Sequence, residues 1–178
     1  MVLRKEMSKM IKKIMLVILA LATIYFIGDI NLKGSSVYYA KHSPSSNTRD
    51  LEIMMLVENI QKSADREEFS YRVDGDKTIQ NTTKNVYLSY GYSVNAANYE
   101  YVYISNERQN YYFDENFKLK KVVDFGNNMQ RIDISTVDEN KIKEEIYENF
   151  KSILKEEEEK PFINLQWIFN WVYRDRIK

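Results

Sequence analysis

The chain has 178 residues, 26 Lys/Arg against 26 Asp/Glu, a single histidine and no cysteine. Without cysteine, and with one histidine, Cys–His nucleophiles, zinc centres and histidine-based acid–base catalysis are excluded. The same count excludes a disulfide framework and a lipid-modified N-terminal cysteine, so packing alone must stabilise the fold.

Residues 1–13 carry Arg4, Lys5, Lys9, Lys12 and Lys13 against Glu6, net +4, which leaves −4 on the remainder. Directly behind this basic lead, residues 14–28 form a charge-free run that is almost wholly apolar. As a helix it spans about 22 Å, short of the roughly 30 Å hydrocarbon core. Met10 and Ile11 extend it, Lys12 and Lys13 can snorkel, and Tyr25 and Phe26 suit the far interface. Ile14, Leu16, Val17, Leu19, Leu21, Ile24 and Phe26 are its candidate lipid-facing residues. A retained signal-anchor is favoured over a cleaved signal peptide, because residues 29–41 offer no good small-x-small exit. The basic lead places the N-terminus in the cytoplasm and the rest outside. A mildly acidic outer portion argues against nucleic acid as a partner.

Residues 29–48, with Gly34, Ser35, Ser36, Pro44, Ser45 and Ser46, read as a linker lifting a domain of residues 49–178 off the bilayer. The sole histidine, His42, lies here and reads as exposed and inert. Leu51 to Lys62 reads as a helix capped by Asn47 or Asp50, with Ile53, Met54, Leu56, Val57 and Ile60 on one stripe.

From Phe69 the apolar period changes to two. Phe69, Tyr71 and Val73 lead into the hairpin dipeptide Asp74-Gly75. Val86, Leu88, Tyr90, Tyr92 and Val94 then share one strand face, with Tyr87, Ser89, Gly91 and Ser93 on the other. After a turn at Asn95 to Asn98, Val102 and Ile104 alternate with Tyr99, Tyr101 and Tyr103. Further turns lead to Tyr111-Tyr112-Phe113, to a face of Phe117, Leu119, Val123 and Phe125, and to a short strand at Arg131 to Ile134. Strands joined by such short turns are antiparallel neighbours in a meander. An amphipathic helix from Thr136 or Asp138 follows, with Ile142, Ile146, Phe150, Ile153 and Leu154 facing the sheet. Phe162 to Tyr173 is apolar nearly all round at helical spacing, but its aromatic alternation favours a strand. The expected fold is thus α+β: a curved antiparallel meander with two amphipathic helices behind an N-terminal transmembrane helix.

Chemistry is sparse. Among five glycines there is no phosphate-binding loop. Asp74/Asp76 and Asp114/Glu115 are carboxylate pairs, but both fall at hairpin turns, where Asp serves the backbone. Asn81-Thr82-Thr83 matches a glycosylation acceptor. No catalytic residue, metal ligand or cofactor is expected, which leaves a binding module. Tyr90 and Tyr92 share a face with Val86 and Leu88 and are expected in the core. Tyr99, Tyr101, Tyr103 and Tyr87 are the candidate contact residues, with Trp167 and Trp171 as a further aromatic pair.

The basic-led anchor at 12–28, the Tyr-rich strands at 86–94 and 99–104, the amphipathic helix at 138–155 and the aromatic segment at 162–173 carry a resemblance. In this arrangement the chain resembles the TipC family of membrane-anchored immunity proteins of Gram-positive bacteria. The resemblance implies a concave sheet with flanking helices that grips and blocks a secreted antibacterial toxin outside the membrane. It assigns no contact residues. A non-catalytic accessory component of an envelope or secretion complex is the alternative.

Overall fold

The computed structural model describes residues 2–59, 67–93 and 97–177, with side chains from Met10 onward. The charge-free run lies inside one long helix, α1, Val2–Gly34. Its 25-residue part Met10–Gly34 is long and apolar enough to cross a membrane, at about 37 Å. None of its most apolar stretch is buried against the rest of the chain. The helix extends the apolar run of residues 14–28 through Met10 and Ile11 at its start, and past its end continues through Asp29 and Lys33, which pair at 2.8 Å across one turn.

The expected linker at residues 29–48 is not present as such. Asp29–Gly34 completes α1, and Ser36–Lys41 forms a short helix, α2, after a break at Ser35. Val37, Tyr39 and Ala40 of α2 are buried in the core, and Leu32 packs against it. The serines and glycine around them suggested a stalk, yet Val37 to Ala40 supplies apolar surface that the fold uses. The body therefore begins at the end of α1, not at residue 49. His42 caps α2 and stacks on Tyr38 at 4.1 Å between ring centres.

Helix α3, Thr48–Asn59, is buried without a break from Leu51 to Val57. The expected stripe understates this, because α2, the later helix Glu139–Glu157 and the sheet surround α3 on several sides. The expected Ile60 to Lys62 end lies outside the described residues. Glu58 accepts from Arg176 and from the Tyr101 hydroxyl, tying the C-terminal tail and the sheet to α3.

The meander is a seven-stranded antiparallel sheet in sequence order: β1 Phe69–Asp74, β2 Asp76–Asn81, β3 Val86–Ser93, β4 Asn98–Ile104, β5 Gln109–Phe113, β6 Leu119–Asp124 and β7 Gln130–Ile132. Gly75 turns β1 into β2 with φ +82, a left-handed conformation that glycine adopts freely. A register shift between Tyr112 and Phe113 places Lys120 out of step, so Leu119 and Val122 face the core together. The expected face of Phe117, Leu119, Val123 and Phe125 is corrected accordingly. Phe117 is buried from a turn, Val123 sits in the opposite row, and Phe125 is exposed.

After a 3₁₀ turn at Ile134–Thr136, α4 spans Glu139–Glu157. Asp138 caps it by accepting from the N–H groups of Asn140 and Lys141. Its buried stripe is the expected Ile142, Ile146, Phe150, Ile153 and Leu154. Lys143 on its flank pairs with Asp50 at 2.7 Å and with Glu139 at 2.9 Å, binding α4 to α3.

Phe162 to Tyr173 is not a strand. Gln166–Val172 forms a helix, α5, nucleated where the Leu165 carbonyl accepts from Ile168 and Phe169. Its apolar residues divide between two faces: Phe169 is buried, while Trp167 and Trp171 point outward. The alternation reflects this two-sided exposure, not a pleat. The layers run in order from α5 to α2, then α3 with α4, then the sheet.

Candidate functional site: the uncovered side of the sheet

Strand parity and register divide the sheet into two sides. The helices cover the side of Ile79, Leu88, Tyr103, Tyr111 and Val122. The opposite side carries two complete rows. One joins Ser70, Gln80, Tyr87, Ile104, Asn110, Val123 and Arg131 through successive partners. The other joins Arg72, Thr78, Ser89, Val102, Tyr112 and Lys121. Among the described residues, α2, α3, α4 and α5 all lie on the other side.

This open side is organised by its own hydrogen bonds. Gln80 Nε2 donates to the Tyr87 hydroxyl at 2.8 Å, and Ser70 Oγ donates to Gln80 Oε1 at 3.3 Å. Thr78 and Ser89 share a hydroxyl contact of 2.9 Å across β2 and β3. Lys121 Nζ lies 4.9 Å from the centre of the Tyr112 ring. Ser70, Arg72, Thr78, Gln80 and Tyr87 line a shallow hollow of about 490 Å³.

Charge is unevenly placed on it. A third row, at the hairpin end, brings Asp74 and Asp76 beside Gly91 and Glu100. The Asp76 side chain occupies the space a Cβ at Gly91 would take, which accounts for glycine in the middle of a Tyr-rich strand. Lys121 and Arg131 stand at the opposite, β6–β7 edge. The side therefore has an acidic hairpin end and basic residues at both edges, Arg72 on β1 and Lys121 and Arg131 on β6 and β7.

The expected contact residues separate. Tyr87 is half-buried on the open side, and Tyr99 is exposed at the start of β4. Tyr101 and Tyr103 are fully buried, contrary to expectation. Register pairs them with Tyr90 and Leu88, so they belong to the core side, and Val102 and Ile104 to the open side. Tyrosine can take the core positions because its hydroxyls find partners there. Tyr101 donates to Glu58, and Tyr103 donates to Glu145 at 2.7 Å and accepts from Asn149 at 2.7 Å. Burial, reinforced by the neighbouring carboxylates, pushes both phenols above their ordinary range. Tyr92, expected in the core, is exposed and meets Tyr99 edge-on at 5.5 Å. Trp167 and Trp171 are exposed but remote from this side, on α5. Tyr112, missed at the level of sequence, joins Tyr87 on the open side, as its alternation with Tyr111 and Phe113 allowed.

A cleft of about 610 Å³ lies between α4 and the β3–β5 ends, lined by Lys84, Glu107, Lys141 and Glu145 among others. Its polar groups already serve the fold, as Lys84 donates to Asn149 Oδ1 at 3.1 Å. Among the described residues no cluster of three His, Asp or Glu side chains could hold a metal. Asp114 is a turn residue. Burial pushes its carboxyl up, but the Lys118 and Asn116 N–H groups and Lys120 outweigh that and hold it below the ordinary range. Asn81 is buried, with Nδ2 donating to the Asn149 carbonyl at 2.8 Å, so the glycosylation acceptor is committed to the fold. Compared with models of known families, with curated proteins and with solved structures, the chain matches none.

Proposed function

We propose that this chain is a single-pass membrane-tethered docking module that holds the open side of its sheet toward a protein partner outside the cell. The single observation behind the reading is a seven-stranded sheet bare on one side. There Tyr87, Tyr112, Val102 and Ile104 offer apolar contact area among Ser, Thr and Gln. Tyrosine at such a surface combines large contact area with a polar tip, and the acidic hairpin end between basic edges gives a partner a charge pattern to match. The TipC resemblance adds the finer reading: the partner is a secreted antibacterial toxin, and binding neutralises it.

Survival of cells with and without the chain, mixed with toxin-secreting competitors, tests this. Cells carrying the chain should outgrow those without it. The double variant Tyr87→Ala/Tyr112→Ala, present in the membrane at the same level, should lose that protection. Full protection by the double variant would retire the open side as the docking surface. A photo-crosslinking residue at position 112 should join the chain to the toxin, and one at Phe162, on the far side, should not.

A further inference from the structure

Both tryptophans of the chain lie in the seven-residue helix α5, one turn apart, and both are left outside the fold. Trp167 is 71% exposed and Trp171 67%, with Phe162 just upstream at 99%. Fraying does not explain the exposure. Phe169, on the other face of α5, is buried and stacks between Tyr39 at 5.6 Å and Tyr173 at 4.6 Å. Gln166 Nε2 donates to the Tyr39 carbonyl at 2.9 Å. So short a helix does not persist in water unaided, so these contacts fix it and turn its indoles outward.

The place where α5 is fixed is informative. The Tyr39 hydroxyl stands 2.7 Å from Asn31 Oδ1 in α1 and 2.8 Å from the Ile163 carbonyl, and it accepts from the Leu165 N–H at 3.1 Å. One side chain thus clamps the entry to α5 onto the last turn of α1. Asp29, Asn31 and Lys33 are the first polar groups after the apolar span, so they mark the height at which α1 leaves hydrocarbon. Helix α5 is pinned to that height.

We propose that α5, with Phe162, is an interfacial foot. Its indoles enter the headgroup–acyl boundary of the leaflet at the domain end of α1, and the occupant of its apolar face is lipid. This rests on the reading that α1 spans the bilayer. Three observations select lipid. The segment that carries the exposed aromatics is joined through the Tyr39 hydroxyl to Asn31 at the end of α1, and the apolar stretch of α1 before it is uncovered. Tryptophan is the residue most suited to this boundary. Exposed charges of both signs, Glu159 and Lys160 before the segment and Arg174 and Asp175 after it, bracket it where zwitterionic headgroups would lie. The consequence is mechanical: tether and foot give the body two attachments to the bilayer, so it cannot swing freely on one helix.

Because the chain has only these two tryptophans, its own fluorescence reports the outcome. The full chain and the variants Trp167→Phe and Trp171→Phe are reconstituted into phosphatidylcholine vesicles with ordinary or brominated acyl chains. Flotation after an alkaline wash reads the tether, and tryptophan emission reads the foot. An interfacial foot predicts blue-shifted emission, with about half of it quenched by bromine at upper acyl positions in both single-tryptophan variants. Flotation with emission insensitive to bromine would overturn the foot and leave the tether standing. A blue shift without bromine quenching would assign the indoles to a protein contact, also overturning it. Failure to float would remove the tether and the foot together.

Discussion

At the residue scale, burial and partnering decide which side chains the fold can use. Tyr101 and Tyr103 illustrate why alternation found the pleat but not its inside. The pattern separates two faces; which of them is buried depends on partners from elsewhere in the chain. Glu58 and Glu145, 43 and 42 residues away, supply those partners. Glu52 shows the opposite balance. It is only 6% exposed on α3. Burial pushes its carboxyl up, Glu158 adds to this, and the nearby Lys41 opposes without cancelling it. The folded state therefore favours the protonated form. The resulting stability is complete below the ordinary glutamate range and is lost as pH rises from there through the raised value. Glu52→Gln should raise the melting temperature at pH 7, with the gain shrinking toward pH 4. Thermal melts at the two pH values check it, and an equal gain at both would point away from ionisation.

At the element scale, what was legible followed the strength of the periodic signal. The stripe of α4 and the alternation of β3 were readable because several apolar residues repeat on one face. Strand β2 was implied by Asp74-Gly75 but not readable by itself. In Asp76–Asn81 only Ile79 is an apolar residue facing the core, while Thr78 and Gln80 belong to the open side. Ile79 thus anchors its strand almost alone. Ile79→Ala should cost about 3 kcal/mol in denaturant unfolding, while Gln80→Ala, which removes the bonds to Tyr87 and Ser70 on a solvated face, should cost about 1 kcal/mol. Comparable losses would mean that the open side is covered. For α4, the Asp138 carboxylate satisfies two of the first-turn N–H groups. Asp138→Ala should therefore destabilise by about 1 kcal/mol without changing the helix's buried face. Helices α2 and α5 were unreadable because each is too short for its period to stand out. Their helical form comes from tertiary contacts at Tyr39, whose partners lie up to 127 residues away.

At the scale of the whole molecule, the order of layers separates two surfaces of different character. Next to the end of α1 stand α2 and α5, with exposed indoles; beyond α3 and α4, the far layer is the polar open side of the sheet. On the reading proposed above, a tether entering at the α2 layer would hold that side away from the bilayer, where a large partner would have room to approach. The absence of native cysteine makes this arrangement directly measurable, because any single introduced thiol is the only reactive one. Ser89→Cys lies in the open row, and Ser8→Cys lies within the basic lead. In intact cells a membrane-impermeant maleimide should label Ser89→Cys promptly and Ser8→Cys only after permeabilisation. The reverse pattern would put the domain in the cytosol, against the direction set by the five cations ahead of the span. Equal labelling of both before permeabilisation would mean that α1 does not cross the membrane. A third thiol at Ser70→Cys, in the row beside Ser89, should react as fast as the first, because nothing in the layered order places lipid or helix over either.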